Sequence, residues 1–215
     1  MARLDTAARV VRNRAGALNV IGLFWSICMQ RHVVYESLVE RLMFLLFEWL
    51  GKKKYVEQPY TLSLEYQGRP VEYTPDAEVS EADGGLSLWQ AKPEEKATEV
   101  ELAARMESYA HQLSRRGYEH FVFMPEKWSE RFWLNLRMLY GYAIHHHDSP
   151  DRSSVASVLG IGSELPLIEA VQAVRAHSVS VGAIYTEMFY QNIHYEPESE
   201  ITKRSTIRIL GVSAK

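Results

Sequence analysis

In the stretch YTPDAEVSEADGGLSLWQAKP, Asp76 follows Pro75, and fourteen positions on stand Gln90 and Lys92, one residue apart. Carboxylate and amide oxygens are hard donors that suit magnesium or manganese. Such an ion makes a bound water nucleophilic and offsets charge on a phosphate. A lysine beside it adds fixed positive charge near the reacting phosphorus. Where a second carboxylate is expected, before the lysine, this chain has Gln90. The spacing alone is a weak signal, because Pro-Asp pairs are common in turns and a Gln-x-Lys on a strand is commonly a solvated face.

Local structure must bring these residues together. Side chains alternate along a strand, so Leu88, Gln90 and Lys92 share one face of GGLSLWQAK, and Trp89 and Ala91 share the other. Neighbouring strands run about 5 Å apart, which puts Asp76 within reach of Gln90 and Lys92 if register permits. Upstream, VVYESLVERLMFLLFEWL has helical periodicity over 33–50, with Leu38, Leu42, Leu45, Leu46 and Trp49 on the apolar side. Glu36 and Glu40 are four apart on one face, and either can complete the cluster; the pattern leaves both open. Gly51 stops the helix.

Between the helix and Lys92, three short strands in series predict a mixed or antiparallel sheet that begins as a meander, with turns at QGR and EADGG. VELAARMESYAHQLSRRG reads as a helix, HFVFMP as a strand, and EKWSERFWLNLRMLYGYAIHHH as an aromatic-rich helix. The Ser/Asp/Gly/Pro-rich stretch 148–164 reads as a linker. Beyond it, LPLIEAVQAVRAH and VGAIYTEMFYQNIHY read as helices and STIRILGV as a last strand. The expected organisation is a domain over 1–147, the linker, and a small helical, winged-helix-like domain over 165–215.

With 215 residues, 47% hydrophobic and 24% charged, the chain has ordinary globular composition. A net charge of −3 gives no overall basic field, so any nucleic-acid contact is local or shared with partners. One cysteine, Cys28, excludes an internal disulfide and a cysteine-based zinc cluster, fits a reducing cytoplasm, and reads as core filler. The apolar run ALNVIGLFWSICM is too short to span a membrane as a helix and reads as buried structure. It follows an arm carrying Arg3, Arg9, Arg12 and Arg14, which is suited to DNA phosphates.

ESLVERLMFLL, VEQPYTLSLEYQGRPVEYTPD and LWQAKP, in that order and at compatible spacing, resemble the successive motifs of the TnsA family. These are the endonuclease subunits of heteromeric Tn-seven-type transposases, including CRISPR-associated ones. The likeness covers roughly residues 9–125. It implies an α/β, restriction-endonuclease-like core of the PD-(D/E)xK type, with a mixed sheet flanked by helices. It implies catalytic residues Glu40, Asp76, Gln90 and Lys92. Glu40, Asp76 and Gln90 would hold magnesium, with manganese able to substitute.

The implied activity is cleavage of the 5′ strands at transposon ends, on bacterial DNA in the cytoplasm. The implied partners are double-stranded DNA, a DDE-type (TnsB-like) transposase subunit that cuts and joins the 3′ strands, and an ATP-dependent (TnsC-like) regulator met through the C-terminal region. Ala77 and Ala91 depart from the family's larger apolar residues, which alters packing behind the site without removing a polar group. Two other readings are a catalytically silent adaptor of the same fold and a stand-alone restriction or repair nuclease.

Other polar and aromatic features read as structural. His145, His146 and His147 are consecutive at a helix end, a spacing that seldom converges on one ion, and histidine there is favoured by the helix dipole. Trp25, Trp49, Trp89, Trp128 and Trp133 fall in apolar patterns and read as packing residues.

Overall fold

The computed structural model describes residues 20–52 and 54–211; the arginine arm lies outside them. Two compact units form: Met1–Glu48 with Lys52–Lys127, and Trp49–Gly51 with Trp128–Lys215. The division thus falls about twenty residues before the one expected from the Ser/Asp-rich stretch. No helix among the described residues is long and apolar enough to cross a membrane.

The first unit starts with a hairpin, β1 (Gly22–Ser26) and β2 (Arg31–Tyr35). The helix expected over 33–50 therefore begins later, as α1 (Leu38–Trp49). Val33, Val34 and Tyr35 are β-branched or aromatic, and they pair with Phe24, Leu23 and Gly22. Cys28, expected in the core, sits exposed in the hairpin turn. Its thiol is held against Glu48 Oε1 at 3.1 Å and the Lys52 carbonyl at 3.2 Å. Although the residue as a whole is exposed, its sulfur is partly covered at these contacts. That burial, with the Glu48 charge, pushes the thiol up to about 12, so it is not a ready nucleophile.

The strands after α1 do not form one meander. β4 (Leu62–Tyr66) and β5 (Arg69–Tyr73) make a separate hairpin. Gln67 and Gly68 both have positive φ at its tip, 52° and 73°, as a two-residue hairpin turn of this kind requires. The central sheet runs β3–β6–β7–β8, from β3 (Lys54–Glu57), β6 (Ala77–Ser80), β7 (Leu86–Ala91) and β8 (Tyr118–Phe123). Its first three strands are antiparallel, and β7 and β8 are parallel. Between those two lie α2 (Glu94–Ala97) and α3 (Val100–Ser114). The unit is therefore α/β with a mixed sheet flanked by helices.

Alternation on β7 gives the sheet two apolar faces. Trp89 meets Phe47 of α1 edge-on, with ring centroids 5.1 Å apart, and Phe44 and Phe47 pack on Tyr55 of β3. Leu88 faces the other way, into a cluster with Leu64, Tyr73, Met106, Tyr109 and Leu113. Each large buried side chain contributes about 1.5–3 kcal/mol by leaving water. These two layers fix α1 and α3 against β7.

The second unit holds α4 (Glu130–His146), α5 (Asp151–Leu159), α6 (Leu167–Ala176) and α7 (Val181–Phe189). A small antiparallel sheet joins them, in the order β10 (Ile193–His194), β11 (Thr206–Ile209), β9 (Glu164–Pro166). The stretch read as a linker contains α5, because Val155 and Leu159 supply a buried apolar pair that composition alone conceals. α4 belongs here because Phe132, Leu136, Leu139 and Ala143 are buried along one face of it and α7 packs against it. Buried Glu187 is held by Arg152 Nε at 2.5 Å and Asn192 Nδ2 at 2.6 Å.

Candidate functional site

The start of α1 is built by a reciprocal cap. Ser37 Oγ accepts the Glu40 N–H at 3.1 Å and donates to Glu40 Oε1 at 3.0 Å. Glu40 Oε2 accepts the Glu36 N–H at 2.8 Å. This Ser-x-x-Glu arrangement satisfies the Glu40 N–H, one of the donors that a helix start leaves open, and ties Glu40 back to the Glu36 N–H just before the cap. It also locks the carboxylate of Glu40, which is 8% exposed, in one orientation.

Asp76 lies between β5 and β6, where Pro75 ends the hairpin. Its backbone rejoins the central sheet: its N–H donates to the Trp89 carbonyl at 2.9 Å, and its carbonyl accepts the Gln58 N–H at 3.1 Å. That register sets its side chain beside the end of β7. Asp76 Oδ2 accepts both Gln90 Nε2 and, at 2.7 Å, the Ala91 N–H. Lys92 continues β7 by donating its backbone N–H to the Phe123 carbonyl at 2.9 Å.

All four residues singled out in the sequence, Glu40, Asp76, Gln90 and Lys92, line one cleft of about 850 Å³. The alternative acid, Glu36, lines it too. Thr74, Lys96, Glu99, Glu101 and Arg105 add polar groups that the motifs did not point to. The helical spacing of Glu101 and Arg105, four apart, is the only sequence signal for their shared face.

The electrostatics are those of crowded carboxylates. Burial raises Glu40 to about 7, and the charge of Asp76 adds to the rise, against the Glu36 N–H and the Ser37 hydroxyl. Burial likewise raises Asp76 to about 6; Lys92, the Ala91 N–H and Gln90 oppose that rise, and Glu36 adds to it. Perturbed acids converging in a cleft are a signature of functional sites. Nearby, the Tyr73 hydroxyl meets His120 Nε2 at 2.9 Å, and burial lowers that imidazole to about 4.

Two mutually repelling carboxylates and an amide oxygen are a donor set that fits a hard divalent cation. Among the described residues, no group of three or more His, Cys, Asp or Glu side chains is arranged to hold a metal. The amide of Gln90 would therefore have to supply the third oxygen. In this structure its NH₂ is turned to Asp76, leaving Oε1 as the oxygen for that role. The histidine run forms no such centre: His147 pairs with Asp148, and His146 packs where Gly182 leaves room. No protein-family model matches the sequence, and no curated protein matches it.

Proposed function

We propose that the chain is a magnesium-dependent DNA endonuclease of the TnsA kind, with a restriction-endonuclease-like core that cuts the 5′ strands at transposon ends. The observation that carries this reading is the convergence of Glu40, Asp76, Gln90 and Lys92, from three separate stretches of sequence, on one cleft. Glu40, Asp76 and the Gln90 carbonyl would hold the ion, which when bound supplies an activated water and offsets phosphate charge.

The chain's own residues do the rest. Lys92 places positive charge beside Asp76 and toward an incoming phosphate. The Ala91 N–H and Gln90 orient Asp76, so the carboxylate is held rather than searching for its geometry. The Ser37 cap does the same for Glu40. Glu40, raised to about 7, takes or gives a proton near neutral pH when no cation is present.

On the same reading, the second unit meets the partner transposase or the ATP-dependent regulator. An apolar stripe on α4 supports a partner-facing role: Leu134, Met138 and Tyr142 are four apart and exposed. The test is a strand-specific assay with the partner proteins. Asp76→Ala should lose 5′-strand cleavage while 3′ joining continues, so cointegrates replace simple insertions. Simple insertions from that variant would refute the assignment.

One observation favours a second reading, a silent adaptor of the same fold. Both oxygens of Glu40 already accept hydrogen bonds from the helix cap. An adaptor would support transposition equally well with Asp76→Ala.

A further inference from the structure

The wall of the cleft formed by α3 contains a charge that the proposed chemistry does not use. Arg105 lines the cleft, one turn after Glu101. That spacing normally lets opposite charges on a helix pair. Here no ion pair forms between them, and Arg105 Nε is buried with no hydrogen-bond partner among the described residues. A guanidinium carries five donors and does not lose its charge. Arg105 as a residue is half-buried, and leaving its buried Nε–H without an acceptor costs free energy. Among the described residues no acceptor meets that N–H.

The charge of the cleft says what the missing acceptor is. Glu36, Glu40, Asp76, Glu99 and Glu101 line it, against Lys92, Lys96 and Arg105. A nucleic-acid strand entering this acidic surface is repelled unless cations meet its phosphates. Lys92 is committed to the reacting centre beside Asp76. Lys96 and Arg105 remain, and of the two Arg105 has the planar fork that matches two oxygens of one phosphate.

We propose that Arg105 forms a phosphodiester subsite, gripping the non-bridging oxygens of a backbone phosphate that neighbours the one being cut. The assignment rests on the nuclease reading above, and it adds a contact that sets the register of the strand rather than performing chemistry. It also explains how an acidic chain admits DNA to a cleft lined by carboxylates.

The test uses the full chain and a short duplex carrying a transposon end, with calcium present so that the strand stays intact. Binding is read by fluorescence anisotropy over a range of salt. Arg105→Ala should weaken binding about tenfold or more. It should also make the slope of log affinity against log salt shallower by about 0.9, one phosphate's worth. Arg105→Lys should restore the slope and only part of the affinity, since a point charge lacks the fork. Arg115→Ala, which removes an exposed charge from the end of the same helix, should change little.

If Arg105→Ala lowers the melting temperature, Arg105→Gln is read in its place, because it keeps most of the packed stem. Unchanged affinity and slope in these variants, with the wild type binding, overturn the subsite and leave the nuclease reading standing. Weaker binding with an unchanged slope marks a merely structural arginine and overturns it equally. A wild type that neither binds nor cuts duplex, even with its partners, overturns the nuclease reading and the subsite with it.

Discussion

Replacing Gln90 by glutamate keeps the length of the side chain and reverses its part in the cleft. Gln90 now donates to Asp76 Oδ2, which also accepts the Ala91 N–H. An ionised glutamate has nothing to donate. The lost hydrogen bond to a charged acceptor is worth about 1.5–3 kcal/mol. Two unit charges about 4 Å apart add about 4 kcal/mol of repulsion at an effective dielectric near 20. Proton uptake caps the sum: keeping a glutamate of ordinary pKa about 4.3 protonated at about pH 7 costs roughly 3.7 kcal/mol. The protonated acid donates to Asp76 again, so the total penalty tops out near ~4 kcal/mol at neutral pH and drops to about 1 kcal/mol near pH 5.

The sign follows from the raised folded-state pKa of the new acid. Relative to wild type, Gln90→Glu is barely affected below the ordinary glutamate range and loses stability as pH rises above it. Denaturant unfolding in EDTA at about pH 5 and pH 7 measures this directly. Magnesium should then restore the variant more than the wild type, because a third carboxylate binds the ion more tightly and bound ligand adds to stability. Cleavage should persist and need less magnesium. A variant as stable as wild type at pH 7 in EDTA, with no larger response to magnesium, would refute the described pairing of Gln90 with Asp76 and its role as a ligand.

Two further outcomes follow from groups outside the cleft's reacting atoms. Burial lowers His120 to about 4 from its ordinary 6.5, so the unfolded chain takes the proton first and stability falls as pH drops from about 6.5 toward 4. Partial exposure reduces this loss to about 2 kcal/mol; a histidine NMR signal titrating at its ordinary value would contradict it. In the second unit, a Cβ on Gly182 would stand 2.3 Å from His146 Nε2. Gly182→Ala should displace the half-buried His146 ring at a cost of at most about 1 kcal/mol in thermal unfolding, with His146→Ala removing that cost in the double variant.

What could be read in the sequence depended on range. Strand alternation correctly put Gln90 in line with Leu88, and the Gln67–Gly68 turn was legible from residue types alone. Glu36 and Glu40 do line one cleft, but not through the helical spacing expected of them: Glu36 precedes α1 and meets Glu40 through the bend before the helix. Pairing between distant strands was not legible. Nothing local says that β6 leaves the hairpin to pair with β3, yet that pairing puts Asp76 beside the end of β7. The Val33–Tyr35 strand was hidden because its apolar residues continue into a helix of the same character. The linker reading of 148–164 failed because serines dominate the composition while two apolar residues decide the packing.

Glu40 remains the residue with two sufficient explanations. As the third residue of α1 it closes a capping box, which is reason enough for a Ser-x-x-Glu at a helix start. As a buried carboxylate pushed up by burial and by the charge of Asp76, it would be a ligand on the nuclease reading. Glu40→Gln separates the two roles, because glutamine also serves at that capping position. It keeps an oxygen for the Glu36 N–H and removes the charge that Asp76 repels. If Glu40 is only a cap, the variant folds and cleaves. If it is a ligand, the variant unfolds no earlier than wild type, its stability no longer responds to magnesium as wild type does, and cleavage is lost. Relief of the repulsion should even raise its stability above about pH 7, where both carboxylates of the wild type are charged. An active, magnesium-responsive Glu40→Gln would return the motif to helix capping and leave the metal to Asp76 and its neighbours.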